Sequence, residues 1–455
     1  MNARSKGRLT SEAQRGQALV LGLLLLAVAV ASLAMLHGVG RVVEARMRLT
    51  HAADAAAYSG ALAQARRLNL LAYANRTLVA HQVAMAHLVT LEASMAFTRT
   101  LAGQRRRNNP PVRLLATLFG RDVAAAYRVA RAEPGTAVGL AQAYAEHDRV
   151  VHQVLAVGMA SAVADLPATR ARLMRLVLQD NHPTAPVPSI RMLSDGWPAY
   201  LERRDAMGHA GLRSAVEQAV QRYDFVGRRD GTRRNAVPAV AHCPRGHHTL
   251  RRRGATWLGA DGRWGAVDTQ SFHSLRFNRW AGCYLREYAM GWGAVLGDGS
   301  RAPSDLEHVE NPPADFIAQD FWRWVRQSTS WDLRTGTGTP LANSYAVAQG
   351  QRWPGQGLPD YYELAHCCQT APLRFAVAVK LDRDTAPKTA IMGGLFLPGA
   401  DAALTVTSAA ETFFARPQAR ADGYTELATL FRPYWQARGG GGGAAGAGGA
   451  GARPC

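Results

Sequence analysis

Residues Ala18 to Leu36 form one uninterrupted, uncharged stretch rich in Leu, Val and Ala. It is about 19 residues long, and at ~1.5 Å of rise per helical residue it matches the ~30 Å hydrocarbon core of a bilayer. Whatever follows is therefore a body tied to an apolar helix. Arg4, Lys6, Arg8 and Arg15 precede the run, opposed only by Glu12. Cations beside a span resist translocation, which predicts a cytoplasmic N-terminus and a remainder outside the cytoplasm. Arg41, Arg46 and Arg48 pull the other way, with Glu44 offsetting one of them. The rival reading is a cleaved signal peptide, whose apolar core is usually ~7–15 residues and ends in a small-x-small site. Here the run is longer, Ala27-Val28-Ala29 and Ala29-Val30-Ala31 lie inside it, and helix-forming sequence continues through Arg41 and Glu44. The expectation is a retained span.

From Arg41 to Ala102 there is no proline, and Gly60 is the only glycine. Ala, Leu, Arg, Gln and Met dominate, and all are strong helix formers. Apolar residues recur at helical spacing, among them Val42, Ala45, Leu49, Ala52, Ala53 and Ala56. The spacing predicts a long helix leaving the membrane, which must pack on partners or on its own chain. Ala52, Ala53, Ala56, Ala57 and Gly60 are its small-residue face and the candidate site of close helix packing, against an alternative in which they serve helix propensity alone.

The tract Arg105-Arg106-Arg107-Asn108-Asn109-Pro110-Pro111 reads as a loop. Further helices are predicted over 112–131, 137–159, 167–178 and 198–223. After Asp224, Gly, Trp, His and Arg rise and helical periodicity fades. A hairpin is expected around Asp261-Gly262, strands over Leu373–Leu381 and Leu404–Ser408, then helices over 409–416 and 426–431. The fold class is α+β: a transmembrane helix continuing into a long helix and helical bundle, then a mixed, β-rich distal part. The expected division is a cytoplasmic basic leader (1–17), the span (18–40), a helical region (41–222), a mixed α/β domain outside the cytoplasm (223–437), and a Gly/Ala-rich tail (438–455) with no core to bury.

The formal charge is +19, almost all of it from Arg, since Lys6, Lys380 and Lys388 are the only lysines. Such a surface is attracted to anionic lipid, envelope polymer or nucleic acid. Aromatics do not interleave with the arginines as stacking platforms would require, which argues against nucleic acid. The cysteines are Cys243, Cys283, Cys367, Cys368 and Cys455. In an oxidising compartment Cys243–Cys283 is a plausible bridge, but spacing does not fix connectivity, and Cys367 and Cys368 remain candidates. His242, Cys243, His247 and His248 put zinc-type ligands close together without the paired spacing of a known finger, so a disulfide plus ordinary histidines is the preferred reading. No HExxH, GxSxG, GxxxxGK[ST] or strand-linked GxGxxG is present. Gly291-Trp292-Gly293 reads as a tight turn or a close backbone approach. No catalytic residue and no cofactor is assigned, and the expectation is a protein that is not an enzyme. The alternatives are an anchored periplasmic metal-dependent hydrolase using the His/Cys group, and a minor-pilin-like DNA binder.

The N-terminal third resembles the Flp pilus-assembly TadE/TadG-like proteins. The resemblance is carried by the leader ending in Gln14-Arg15-Gly16-Gln17-Ala18, the single span, and the block Ala52-Ala53-Asp54-Ala55-Ala56-Ala57 that follows it. The stretch Leu68 to Arg76 and the ending Leu430 to Arg438 are similar to those of the same family. The resemblance implies a structural or assembly component of a Tad/Flp-type pilus or secretion apparatus in a bacterial inner membrane. It implies pilus-assembly or envelope proteins, or further copies of the chain, as partners. Two departures limit what is carried over. Leu21 stands where relatives that are processed like type IV pilins hold a Glu, and no DxSxS metal motif is present.

Overall fold

The apolar run and the small-residue face lie on one helix, α1 (Arg15–Arg106), 92 residues long. The computed structural model describes residues 15–130, 137–182, 187–205, 210–237, 241–279, 282–296, 350–366, 370–382 and 403–440. Arg105 and Arg106 in the last turn suit the negative end of the helix dipole. Asn108 then takes a left-handed backbone (φ 51°), and Asn109-Pro110 closes the loop. Next come α2 (Val112–Phe119), α3 (Arg121–Val129), α4 (Ala137–Arg149), a π-helical turn (Val150–Ala156) and α5 (Val157–Asn181). β1 (Ser189–Asp195), α6 (Trp197–Tyr200), β2 (Leu201–Arg204) and α7 (Ala210–Val220) follow. The remaining strands are β3 (Gly231–Arg234), β4 (Thr249–Leu258), β5 (Trp264–Asn278), β6 (Gly282–Leu296), β7 (Gln351–Arg352), β8 (Tyr361–Leu364), β9 (Leu373–Leu381), β10 (Leu404–Phe414) and β11 (Trp435–Gly439).

Two units interleave along the chain. The first comprises residues 1–70, 162–202 and 364–455, the second 71–161 and 203–363. In the first, the antiparallel sheet β1-β9-β10-β11 carries α1 and α5 on one face. In β9 Leu373, Phe375, Val377, Val379 and Leu381 are buried toward the helices, while Arg374 and Lys380 on the other face are exposed. In the second, β3-β4-β5-β6-β7 form a sheet, antiparallel except for β6–β7. Phe272, Tyr288, Met290 and Leu250 of that sheet share a core with Phe97 and Leu101 of α1 and with Leu115, Val123 and Tyr127 of α2 and α3. The Asp261-Gly262 hairpin joins β4 and β5 as the sequence predicts, with Gly262 at φ 74°.

Four secondary-structure expectations are corrected. Residues 137–181 are continuous helix rather than two segments, with Pro167 inside α5. A proline cannot donate to the carbonyl four residues back, and here the freed Val163 carbonyl accepts the Trp197 indole N–H (3.3 Å). The predicted helix over 198–223 is α6, β2 and α7, because Leu201–Arg204 pairs with β8, a partner more than 150 residues away. Ser189–Asp195 is a strand that the sequence pattern did not reveal. Ala409–Phe414 continues β10 instead of turning helical, since it is hydrogen-bonded to β9 on one side and β11 on the other. No helix forms over 426–431. β11 extends to Gly439, two residues into the expected tail.

Candidate functional site

α1 changes character along its length. Leu21, Leu24 and Leu33 are about 60 % exposed, and the most apolar window of the helix has no part covered by the protein. From Leu49 onward one face disappears: Leu49, Ala52, Ala53, Ala56, Ala57 and Ala61 are buried with Met174 and Leu178 of α5, Phe375, Val377 and Val379 of β9, and Val406 and Ala410 of β10. The alanines lie on this face because residues three and four apart stack on one side of a helix. Their small side chains let the helix lie close on the sheet. At Gly60 an added Cβ would fall 2.8 Å from the Phe375 ring and 3.0 Å from Met174 Sδ. The five small residues singled out in the sequence are thus brought together against the chain's own sheet.

Polar groups set the register of α1 on that sheet. Ser408 Oγ donates to Asp54 Oδ1 (2.6 Å), and Thr412 Oγ1 donates to Ala61 O (3.0 Å). Asn69 brackets the edge strand: its Nδ2 donates to Trp435 O and its Oδ1 accepts from Trp435 N, both at 3.0 Å. On the opposite sheet face Glu411 is held by Arg374 (2.8 Å) and by Arg438. Burial opposes its charge, but the two guanidinium hydrogen bonds outweigh it and hold the carboxyl below the usual range. Arg170 of α5, almost wholly buried, pairs with Asp195 and lies 5.0 Å over the Phe375 ring. None of these contacts was read from the sequence. Asp54 and Asn69 do fall inside the stretches that carry the family resemblance.

In the second unit Gly291-Trp292-Gly293 is the close backbone approach that the sequence offered as one reading. A Cβ on Gly293 would overlap the Ala93 carbonyl and sit 2.7 Å from Ala96 Cβ, and one on Gly291 would sit 2.9 Å from the Phe97 ring. Thr100 Oγ1 donates to Trp292 O (2.6 Å) and accepts from Trp292 N (2.7 Å). Cys243 and Cys283 are joined as a disulfide, whereas Cys367, Cys368 and Cys455 lie outside the described residues.

The His/Cys cluster is not drawn together as a ligand set. Cys243 is in the disulfide, His242 stacks on Phe277 (4.6 Å), and His248 Nδ1 accepts from Leu275 N (2.9 Å). Among the described residues no three His, Cys, Asp or Glu side chains converge as metal ligands. A different buried polar group lies on β5 and β6. His273 Nε2 is 2.8 Å from Ser271 Oγ and 3.9 Å from Glu287 Oε1. Burial, with help from Arg253, pushes His273 down to about 4. Burial pushes Glu287 up to about 8, against the opposing pull of Ser271 and Arg253.

A bare apolar segment leading straight into a helix-on-sheet unit defines a class: α+β proteins whose N-terminal apolar helix is suited to membrane anchoring. Within it, residues 16–65, the bare segment and the whole alanine face, match the family model for Flp pilus-assembly TadE/G-like proteins. No curated protein and no solved structure matches the chain.

Proposed function

We propose that this chain is a structural or assembly component of a Tad/Flp-type pilus or secretion apparatus, held in a bacterial inner membrane by residues 18–40. Its N-terminus is cytoplasmic, the bulk of the chain lies outside the cytoplasm, and it performs no catalysis. The family match over residues 16–65 carries the reading, and it includes the segment whose apolar side chains the protein leaves uncovered. A second helix, Gly139–Asn181, is also long and apolar enough to cross a membrane. Single passage is favoured because this helix carries Glu146, Asp148 and Arg149 and gives Met174 and Leu178 to the core under β9. The partners on this reading are pilus-assembly or envelope proteins. Because the alanine face is occupied by the chain's own sheet, they meet the protein elsewhere.

The test is purification from native membranes in mild detergent, with deletion of the gene alongside. Co-purification of pilus-assembly proteins and loss of pili on deletion are expected. Intact piliation in the deletion strain would overturn the reading. A reporter fused at the C-terminus that is active only in the cytoplasm would overturn the orientation.

A further inference from the structure

The contacts between α1 and the first unit's sheet fix how far that sheet stands from the apolar run. Asp54 meets Ser408, while Ala61 and Gln64 meet Thr412, so α1 and β10 run in the same direction. Four residues of β10, ~14 Å at ~3.4 Å each, match roughly seven to ten residues of helix at ~1.5 Å each. Four more residues back along β10 bring Leu404 to the level of about residue 45 of α1 by the same rises. Leu404 pairs with Leu381, and Lys380 pairs with both Thr405 and Ser189. The start of β1, the end of β9 and the start of β10 therefore share one end of the sheet.

The span read as residues 18–40 ends about five helical residues, or ~7 Å, short of that level. The polar layer of a bilayer adds ~5–7 Å on each side of the ~30 Å core. No proline and no break in the helix separates the two. The charges at this level suit an anionic surface. Arg41, Arg46 and Arg48 are exposed, as is Lys380. Glu44 is held by Arg48 (2.5 Å), and Asp382 lies 3.8 Å from Lys380 Nζ, which leaves cations in excess among these described residues. An anionic lipid surface attracts such juxtamembrane cations.

We propose that this end of the first unit, where β1 starts, β9 ends just after Lys380 and β10 starts, docks on the anionic phospholipid headgroup layer beside the span. The proposal rests on the reading that residues 18–40 lie in the bilayer. It adds a second, peripheral membrane contact to the anchor.

The test uses the full chain in vesicles containing phosphatidylglycerol. A photoreactive side chain is introduced as Lys380→p-benzoylphenylalanine and, for comparison, as Tyr424→p-benzoylphenylalanine. Tyr424 is 76 % exposed and lies beyond the other end of β10. Illumination is expected to attach lipid several-fold more at position 380 than at 424. Replacing phosphatidylglycerol by phosphatidylcholine is expected to lower the yield at 380, as is the pair Arg46→Glu and Arg48→Glu. Equal yields at both positions, in protein that resists alkaline carbonate extraction, overturn the docking and leave the anchor standing. Release by carbonate overturns the anchor and the docking with it.

Discussion

Asn69 does for β11 what a neighbouring strand would do, offering one acceptor and one donor to the backbone of Trp435. Removing it leaves both backbone groups without these partners at a mostly buried position, so Asn69→Ala is expected to cost about 1–3 kcal/mol. Chemical denaturation, with proteolysis reporting on release of 435–439, measures it. Glu287 and His273 give a pH dependence with a definite sign. Glu287 rises from 4.5 unfolded to about 8 folded, so over that interval the unfolded state binds fewer protons and stability falls as pH rises. His273 falls from 6.5 to about 4, so its contribution rises with pH over that interval and offsets Glu287 below 6.5. The net decline is therefore expected between pH 6.5 and 8, and Glu287→Gln should flatten it in unfolding midpoints measured across that range. Little at this scale was legible in the sequence. Asn69 and Trp435 are 366 residues apart, and nothing local marks a side chain whose partner lies so far along the chain.

Elements were more legible where a local pattern and the tertiary environment agree. Leu373–Leu381 announces itself because apolar residues alternate in a strand with one covered face, and β9 has those bounds. The hairpin at Asp261-Gly262 was equally readable, since the turn needs the backbone that Gly262 adopts. Ala409–Phe414 failed because Ala and Glu favour helix locally, while its place between two strands is decided by residues elsewhere. The glycines where helix and strand meet yield the sharpest prediction. Gly293→Ala puts a Cβ into the Ala93 carbonyl, a backbone atom that cannot swing aside, and is expected to destabilise by more than the ~1–3 kcal/mol typical of overpacking. Gly60→Ala meets only side-chain atoms of Phe375 and Met174 and should fall within that range. Thermal unfolding of the two variants side by side checks the order.

For the whole molecule, the class was legible, an apolar helix continuing into α+β structure, whereas the compact units follow contacts that no local composition marks. Composition changes near residue 223, whereas the compact units exchange segments at 70, 161, 202 and 363. Composition records what a stretch is made of, and packing depends on what it meets later. One covalent link lies within the second unit, Cys243–Cys283, with a sequence separation of 40. Closing a loop of that size restricts the unfolded chain, so Cys243→Ser with Cys283→Ser is expected to cost about 2–4 kcal/mol. Reduction should reproduce that loss, read as earlier cleavage between β4 and β6 in limited proteolysis.

The alanine face of α1 is synthesised near the beginning of the chain, and β9 and β10, which cover it, emerge more than 300 residues later. Throughout translation the nascent helix therefore carries a greasy seam with its lid still unmade. Something must keep neighbouring nascent chains from zipping together along that seam, and any message truncated before the codon for Leu373 would leave it permanently open.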